Sequence, residues 1–465
     1  MQIYTFAGEK SNLKRMSKEI RLKKGLTINL VGDADKVYAS VKPTDNYVVK
    51  PTDFHGLTPK LTVKIGDKVK AGTALFFDKY NDKINFVSPV SGEVTAIVRG
   101  EKRRILEVVI KADAEIAYEN FEKVSANDLS REQIIDGMLR SGVWPFIRQK
   151  PYDVVANPAD MPKAIFISAF NSAPLSIDND FALYGMEELF QKGLDFVTKL
   201  TSGKTHLNID GNTNPSNVFT GAKGVEINKI SGPHPAGNVG VQAHHIDPIN
   251  KGDIIWYLQP QDVLAIARLF TEGKYDVSRI VALGGSQVNK PRYYRIIAGA
   301  SLANLFTDNL KEGDNRIISG DVLTGQRIDE NGTLGFYHTT VTVIEEGKEQ
   351  EFLGWILPGT HKFSASKTFL SWLMPSKKYA LNANMHGEER AYVMTGEYEK
   401  VLPMDIYPTQ LIKACMIEDI ELMENLGIYE VSPDDLALCE FVCTSKIEVQ
   451  SIIRHGLDLV RKENS

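Results

Sequence analysis

The chain has 465 residues, enough for roughly three domains of about 150 residues each. Hydrophobic residues make up 43% and charged residues 24% of it, as in an ordinary globular protein, and the formal net charge is -5. Because a nucleic-acid-binding protein needs a basic face to displace counterions, this charge balance argues against a nucleic-acid partner.

The N-terminal segment and the cysteines bear on the cellular compartment. Residues 1–17 form a polar extension that lacks the apolar run of a secretory signal. No stretch offers about 18 uninterrupted apolar residues, so we expect no membrane-spanning helix. Cys415, Cys439 and Cys443 are an odd number in a long chain, which indicates a reducing compartment rather than a disulfide framework.

The first folded unit is predicted to be β structure. Leu61, Val63 and Ile65 alternate with polar residues, as in a half-buried strand, and apolar strands at 94–98 and 105–110 follow. The pattern predicts a compact β-barrel or sandwich.

A second unit alternates strands with helices. The apolar run 164–169 is typical of a strand buried on both faces, and a helix ending before Gly203 follows it. Another helix has Pro260 in its first turn. This alternation predicts an α/β layer with a mainly parallel sheet.

The rest of the chain is predicted to hold a smaller β-grasp-like module and a helical tail. A Gly284-Gly285 turn separates two strands of the module, and strands at 339–344 and 351–356 have the pattern of a hairpin. We therefore expect an α/β multidomain protein with these segments: 1–17 polar extension, 18–115 barrel-sandwich hybrid, 125–276 Rossmann-like α/β domain, 277–328 β-grasp (soluble-ligand-binding) domain, 329–375 hairpin and connecting segment, 376–465 mainly helical region.

The first unit resembles the biotinyl/lipoyl barrel-sandwich family in its segments 63–75 and 88–94. Those domains present a modified lysine on a hairpin, and Lys79 lies close to that place in the chain. The turn around Lys79 is longer than such an arm requires, so an ordinary solvated lysine in a structural barrel is the preferred interpretation. An acyl- or carboxyl-carrier using Lys79 is kept as an alternative.

Longer segments carry a more specific resemblance. They are 77–79, 88–92, 98–103, 141–151 (SGVWPFIRQKP), 231–240 (SGPHPAGNVG) and 244–253 (HHIDPINKGD). Together they resemble the A subunits of the Na+-translocating NADH:quinone oxidoreductases, and the likeness covers nearly everything from Ile20 to the C-terminus.

The resemblance implies membership of a translocase that oxidises NADH, reduces ubiquinone, or menaquinone as the alternative, and pumps Na+. It implies a peripheral position on the cytoplasmic face of the cell membrane, docked on the membrane-embedded B subunit and beside the C, D, E and F subunits. FMN, FAD, riboflavin and the iron–sulfur chemistry are expected on the other subunits. A free-standing ligand-binding protein with β-grasp and barrel domains is the alternative function.

The residues themselves favour a chain without a cofactor or an independent active site. After the strand ending at Ala169, Pro174 and the absence of glycine argue against a phosphate cradle. Two of the three cysteines lie four residues apart beside apolar neighbours, which is typical of helix packing rather than of an iron–sulfur ligand set. No catalytic, cofactor-binding or metal-binding residue is therefore predicted.

Five residues are candidates for contact with a quinone: Trp144, Phe146, Arg148, His234 and His244. Aromatic rings stack on a quinone, and arginine or histidine can donate to its carbonyl oxygens. An aromatic core plug is the preferred interpretation of Trp144 and Phe146. The quinone hypothesis predicts that Arg148→Ala weakens the binding of a quinone analogue without unfolding the protein.

The sequence alone does not decide the role of two further segments. His234, His244, His245 and Asp247 are expected in a shaped polar loop rather than at a metal, because adjacent histidines on a strand point to opposite sides. The apolar segment between Pro358 and Pro375, which contains Trp372, is predicted either to dock on the membrane-embedded partner or to lie in the core.

Overall fold

The computed structural model describes residues 18–348, 353–354, 356 and 359–464. Its β-strands, in chain order, are β1 Glu19–Arg21, β2 Asp35–Ala39, β3 Asn46–Val49, β4 Pro59–Leu61, β5 Lys68–Val69, β6 Ala74–Asp78, β7 Asn81–Val87, β8 Gly92–Arg99, β9 Ile105–Ala112, β10 Arg148–Lys150, β11 Val154–Val155, β12 Ala164–Ser168, β13 Lys204–Asp210, β14 Glu226–Ser231, β15 Ile255–Leu258, β16 Ser278–Gly284, β17 Arg292–Ile297, β18 Asn315–Ser319, β19 Gln326–Ile328 and β20 Thr340–Glu345.

The α-helices are α1 Arg131–Ser141, α2 Asn179–Ala182, α3 Glu187–Val197, α4 Asn217–Thr220, α5 Val239–Ile246, α6 Pro260–Glu272, α7 Ala303–Phe306, α8 Tyr398–Val401, α9 Pro408–Met416, α10 Ile420–Asn425, α11 Ala437–Val442 and α12 Val449–Glu463. Short 3-10 helices cover Pro51–Asp53, Glu101–Arg103, Ala126–Asp128, Trp144–Phe146, Thr198–Leu200, Leu370–Leu373, Ile428–Glu430 and Pro433–Leu436.

The barrel-sandwich domain consists of two small antiparallel sheets. One has the order β3-β9-β8-β5 and the other the order β4-β6-β7. Leu75, Phe76 and Val108 are fully buried between them, as the alternating sequence pattern requires. Lys79 lies at the β6–β7 turn with its Nζ 5.6 Å from the centre of the Tyr80 ring.

The α/β domain has a sheet of order β1-β14-β13-β12-β15-β10-β11, in which β10 is antiparallel to both of its neighbours, β15 and β11, and the other strands run parallel to one another. Ala164, Ile165, Phe166 and Ile167 of β12 are all fully buried, because parallel neighbours flank this strand and helices cover the sheet. Helix α6 begins with a capping box between Gln259 and Asp262.

The first two described strands do not belong to the barrel. Strand β1 pairs in parallel with β14 of the α/β sheet, and β2 pairs with β17 of the β-grasp sheet. Residues 18–39 therefore link the two later domains, a difference from the boundary expected at residue 18. Glu19 pairs with Lys229 and Asp35 with Arg292, so partners this distant along the chain leave no local pattern from which the sequence alone could place these strands.

The β-grasp sheet has the order β19-β18-β20-β16-β17-β2. Strand β20 lies between β18, to which it is antiparallel, and β16, to which it is parallel. The sequence interpretation paired this stretch with a strand at 351–356. Most of that predicted strand falls outside the described residues, and β20 takes both of its described partners from within the β-grasp sheet.

The C-terminal region is helical, as predicted, and it packs a second core against the α/β sheet. Ile453, Leu457 and Val460 of α12 share one face and are fully buried together with Leu411 of α9. All three cysteines are buried in this core. Among the described residues, no helix is both long enough and apolar enough to span a bilayer.

Candidate functional site

Two of the five candidate quinone residues are in the core. The 3-10 helix Trp144–Phe146 follows α1, and the side chains of Trp144 and Phe146 are 0% and 1% exposed. Trp144 meets Trp256 edge-on at 5.3 Å, and its Nε1 donates to the Ala156 carbonyl at 2.8 Å. Phe146 stacks on Phe336 at 4.8 Å. Both rings therefore pack against protein on every side.

Arg148, on β10, is held between two tyrosine rings. Its guanidinium carbon lies 4.5 Å from the centre of the Tyr257 ring and 4.4 Å from that of Tyr337. The side chain is 18% exposed, and one guanidinium nitrogen is 3.8 Å from an Asp153 carboxylate oxygen. Stacking on aromatic faces is favourable for the planar guanidinium, so this arrangement fixes the direction of its hydrogen-bond donors.

A buried ion pair lies two residues further along the same strand. Lys150 Nζ is 3.3 Å from Asp435 Oδ2, and the two side chains are only 3% and 1% exposed. The same carboxylate oxygen accepts hydrogen bonds from the Ser432 backbone N–H at 3.0 Å and from the Ser432 hydroxyl at 2.8 Å. These contacts supply the compensation that a desolvated carboxylate requires.

Asp435 also faces the first turn of helix α5. A Cβ atom at Gly240 would lie 2.0 Å from Asp435 Oδ2, so only glycine allows the carboxylate to approach this closely. The side chain of Asn238, at the N-cap, donates to the Asp434 carbonyl at 3.0 Å. The positive end of the α5 dipole is thus occupied by a carboxylate of this chain.

We define the buried ionic cluster as Arg148, Lys150, Asp153 and Asp435. Both cations of the cluster contact the Tyr257 ring. The Arg148 guanidinium carbon lies 4.5 Å from the ring centre, and Lys150 Nζ lies 5.8 Å from it. The cluster joins the α/β sheet to the C-terminal helices. In the first turn of α6, burial raises the pKa of Asp262 to about 6 against the opposing effect of Arg279.

His234 follows β14 and has one unsatisfied nitrogen. Its Nδ1 is 3.0 Å from the Ser172 hydroxyl, whereas its buried Nε2 has no hydrogen-bond partner within the described part of the chain. Burial lowers the pKa of His234 to about 4, and Asp321 and Asp435 oppose that shift. The ring is therefore neutral at physiological pH and can donate or accept one hydrogen bond.

The carboxyl end of β12 is where a doubly wound sheet usually binds a ligand, since β13 and β15 flank this strand on opposite sides. Here the loop that follows β12 occupies the place where such a ligand would bind. Leu175 of the loop is 7% exposed, and the Ser172 hydroxyl accepts from the Gly237 backbone N–H at 2.8 Å. A Cβ at Gly237 would lie 2.6 Å from the Ser172 nitrogen, so the two loops are in close contact.

His244 lies away from the other candidates, and the loop predicted around it is wrong. His244 and His245 are in the last turn of helix α5. His244 Nδ1 is 2.7 Å from Glu430 Oε2, its Nε2 accepts from the Asp405 N–H at 3.0 Å, and His245 Nε2 is 2.7 Å from the Pro403 carbonyl. Both histidines connect α5 to the C-terminal helices. No group of three or more potential ligands capable of holding a metal occurs within the described ranges.

Two open grooves lie on the far side of α1, and none of the five candidates lines either. The larger, about 620 Å³, is bordered by Lys83, Arg131 and Arg140 over Ile135 and Leu139. The smaller, about 340 Å³, shares Arg140 and Asp136 with it. Neither groove brings the predicted quinone-contacting side chains to solvent.

The apolar segment around Trp372, for which the sequence left a core position and a docking surface as alternatives, is largely exposed. Leu370, Trp372 and Leu373 of one 3-10 helix are 40%, 53% and 57% exposed, and Ile356 is 64% exposed. Only Ser371 of that helix is buried. Contiguous large apolar side chains on a surface mark an interaction site, so this arrangement favours the docking interpretation.

Sequence reasoning missed the buried ionic cluster beyond Arg148. Lys150 and Asp435 are 285 residues apart, and no local pattern links them. Asp262 could have been found, because Gln259-Pro260-Gln261-Asp262 has the spacing of a capping box at a helix start.

Comparison with known proteins matches three family models to this chain. The NqrA N-terminal barrel-sandwich hybrid domain matches residues 20–113, the NqrA second alpha/beta domain residues 129–275, and the NQRA C-terminal domain residues 280–330. The first range covers the barrel together with β2 and most of β1, the second covers β10 to β15 of the α/β sheet, and the third covers most of the stretch from β16 to β19 of the β-grasp sheet.

Curated relatives match over almost the entire chain. The A subunit of the Na(+)-translocating NADH-quinone reductase of Yersinia pestis bv. Antiqua (strain Angola) is 40% identical over 448 residues, covering 96% of this chain and 100% of that protein. The proteins of the same name from Photorhabdus laumondii and Hahella chejuensis are each 38% identical over 447 residues, with the same coverage.

Solved structures give a much weaker match. The NAD+-reducing [NiFe]-hydrogenase in the air-oxidized state aligns with a TM-score of 0.34 and 13% identity, over 48% of this chain and 48% of that one. At this level of similarity no conclusion is drawn from the match.

Proposed function

Because this chain belongs to the NqrA family, the A subunits of the Na+-translocating NADH-quinone reductase, we propose that it is the peripheral member of the complex at the cytoplasmic face, docked on the membrane-embedded B subunit. Membership of the complex makes it part of an NADH-dependent, sodium-transporting translocase. The proposal is that this chain contributes a scaffold, while the B, C, D, E and F subunits carry the electron path.

One observation carries the docking proposal. The 3-10 helix Leu370–Leu373 presents Trp372 and Leu373 more than half exposed, although side chains of this size are normally buried. Burial of apolar area stabilises an interface by about 25 cal/mol per Å², and aromatic residues are enriched at such contacts. This surface therefore gives a chain without a described spanning helix a means of attachment to a membrane-embedded partner.

The docking proposal is tested with the double variant Trp372→Ser/Leu373→Ser in the assembled complex. We expect the tagged variant to fold normally and to lose roughly tenfold or more of the co-purifying membrane-embedded partner, because an anchor at the centre of an interface contributes about 2 kcal/mol or more. The matched control is Ile65→Ser/Tyr80→Ser, which removes two exposed apolar side chains from the barrel. Equal recovery of the partner with both variants would exclude this surface as the docking site.

The second part of the proposal is that the chain holds no FMN, FAD, riboflavin or iron–sulfur cluster. Support comes from the loop after β12, whose own side chains fill the usual ligand position. The thiols give further support, because burial raises the pKa of Cys415 to about 12 and also raises that of Cys439. All three cysteines are buried in the C-terminal core, and among the described residues no group of three or more potential ligands is placed to hold a metal.

The last part of the proposal concerns the residues that contact a quinone. Trp144 and Phe146 are assigned no quinone contact, because Trp144 Nε1 already donates to the Ala156 carbonyl and the Phe146 ring has no polar atom to offer. Arg148 and His234 keep polar atoms suited to a quinone carbonyl, namely the stacked guanidinium and the unsatisfied Nε2. His244 engages both ring nitrogens within the protein. We propose Arg148 and His234 as the two residues of this chain that approach the quinone.

A further inference from the structure

The His234 ring lies at the end of a chain of hydrogen bonds inside the α/β domain. Gln242 Nε2 on α5 donates to the Ala236 carbonyl at 3.0 Å, and a carbonyl oxygen can only accept, so the orientation of this amide is determined. Asn208 Nδ2 on β13 therefore donates to Gln242 Oε1, at 2.8 Å. Gln242 Nε2 also donates to the Ser168 hydroxyl at the end of β12, at 2.8 Å. The side chains of Asn208 and Gln242 are buried, so little water competes with these bonds.

The backbone of Gly237 continues the same direction of donation into the loop after β12. Because the Ser168 oxygen accepts from Gln242, its own hydrogen is directed between the carbonyls of Phe170 and Gly237, at 2.9 and 3.0 Å. The Gly237 N–H in turn donates to the Ser172 hydroxyl oxygen at 2.8 Å. A Cβ atom at Gly237 would lie 3.0 Å from that oxygen and 2.6 Å from the Ser172 nitrogen, so a glycine is required for this approach.

The Ser172 hydroxyl determines which nitrogen of His234 carries a hydrogen. Burial lowers the pKa of His234 to about 4, so at neutral pH the ring has a hydrogen on one nitrogen. The Ser172 oxygen already accepts from the Gly237 N–H, and the acceptor that its own hydrogen reaches within the described chain is His234 Nδ1, at 3.0 Å. A hydrogen on Nδ1 would leave the hydroxyl accepting twice and donating to nothing. The ring hydrogen is therefore on Nε2.

The Nε2–H of His234 is a buried donor in need of an acceptor. In the portion of the chain that the structure describes, this nitrogen has no hydrogen-bond partner. Asp321 and Asp435, whose negative charges act to raise the pKa of the ring, accept hydrogen bonds from Thr324 and Ser432 instead, at 2.8 Å each. A buried N–H without an acceptor is unfavourable, so the position is suited to a ligand that supplies one. Because the Asp321 carboxylate repels an anion, a neutral carbonyl oxygen fits best.

We propose that Ser172 is a positioning residue that holds His234 in the Nε2–H form, so that the ring presents a fixed hydrogen-bond donor to a quinone carbonyl. This inference rests on the proposed function, which brings His234 to the quinone, and adds the residue that sets the chemical form of the ring. Since donation runs in one direction from Asn208 to His234, each bond of the chain polarises the next. Ser172 acts through the imidazole and not by touching the quinone.

The test measures the tautomer of His234 in the full chain. The protein is labelled with nitrogen-15 histidine, the ring nitrogen chemical shifts are recorded at neutral pH, and the His234 signals are identified by their absence in His234→Gln. We expect Nε2 in the range of a protonated nitrogen and Nδ1 in that of an unprotonated one. In Ser172→Ala the ratio of the Nδ1–H form to the Nε2–H form should rise roughly fivefold, the factor that corresponds to one ordinary hydrogen bond.

Ser176→Ala is the matched control from the same loop. The Ser176 hydroxyl donates to the Asn171 carbonyl at 3.3 Å, so its removal should leave the His234 shifts unchanged. A wild-type ring with its hydrogen on Nδ1, or the same tautomer ratio in the wild type and Ser172→Ala, would overturn the role of Ser172. So would an equal change of that ratio in Ser172→Ala and Ser176→Ala.

Addition of a short-chain ubiquinone separates this inference from the proposed function. We expect the quinone to shift the His234 Nε2 signal, and its affinity to fall in Ser172→Ala in proportion to the lost share of the Nε2–H form. A wild-type Nε2 signal that ubiquinone leaves in place would contradict the proposed contact between His234 and the quinone. The tautomer spectrum, which is recorded without quinone, decides the role of Ser172 independently of that result.

Discussion

Replacing Asp435 by alanine is expected to lower the free energy of unfolding by about 3–5 kcal/mol, because it leaves the Lys150 ammonium charged and unpaired in the interior. Both side chains are at least 97% buried, and the carboxylate also satisfies the backbone N–H and hydroxyl of Ser432. The change should appear as a lower midpoint in urea with an unchanged slope.

A matched surface pair provides the control for Asp435. Asp136 and Arg140 form an i,i+4 ion pair on α1 with both side chains more than 60% exposed, so Asp136→Ala should cost only about 0.5 kcal/mol. The double variant Lys150→Met/Asp435→Asn should be more stable than Asp435→Ala alone, since it removes the uncompensated charge. A loss below about 1 kcal/mol for Asp435→Ala would show that the buried ionic cluster is open to water.

Trp144→Ala is the second substitution for which we expect a large effect, a loss of about 3–5 kcal/mol in the free energy of unfolding. The indole is fully buried, it meets Trp256 edge-on, and its Nε1 satisfies the Ala156 carbonyl. Truncation therefore leaves both a cavity and an unsatisfied carbonyl. Because the ring faces protein on every side, the affinity of the folded fraction for a quinone analogue should stay unchanged.

Substitution of Arg148 is expected to have the opposite effect to that of Trp144, with a larger effect on analogue binding than on stability. Arg148→Lys keeps the charge but loses the planar stack between Tyr257 and Tyr337. We therefore expect its cost in the free energy of analogue binding to exceed its cost in the free energy of unfolding. The opposite pattern, with Trp144→Ala stable but unable to bind the analogue, would mean that the indole contacts the quinone. In that case the aromatic core interpretation would be wrong.

Much of the fold was predictable because its signals are local. The apolar run at β12 predicted a doubly buried strand, Pro260 predicted the start of α6, and the periodic apolar residues of the tail predicted α12. The family predicted from the quoted motifs is confirmed by the family models and by relatives at 40% identity. The strand β20 was predicted within one residue of its observed bounds, but its partners were not, and β1 was assigned to the barrel, because pairing is set by tertiary packing, which no local pattern encodes.

The candidate site was predictable only in part, for a related reason. Arg148 was recognised beside aromatic residues, yet Lys150 two positions away was not, because its partner Asp435 comes from the other end of the chain. His244 was assigned to a loop since Pro, Gly and Asn surround it, whereas packing against Glu430 extends helix α5 through it. The exposure of Trp372 is a property of the folded surface, so the sequence left docking and core as equal alternatives.

The central claim is that this chain works without an electron carrier of its own, through contact with subunits that hold one. The most direct measurement is the absorbance spectrum of the tagged chain, taken first as purified from detergent-solubilised membranes and again after separation from its partners. The account predicts flavin absorbance in the first sample and a colourless chain in the second. A stoichiometric flavin or iron–sulfur spectrum that stays with the separated chain, or a chain that purifies without any coloured partner, would contradict it.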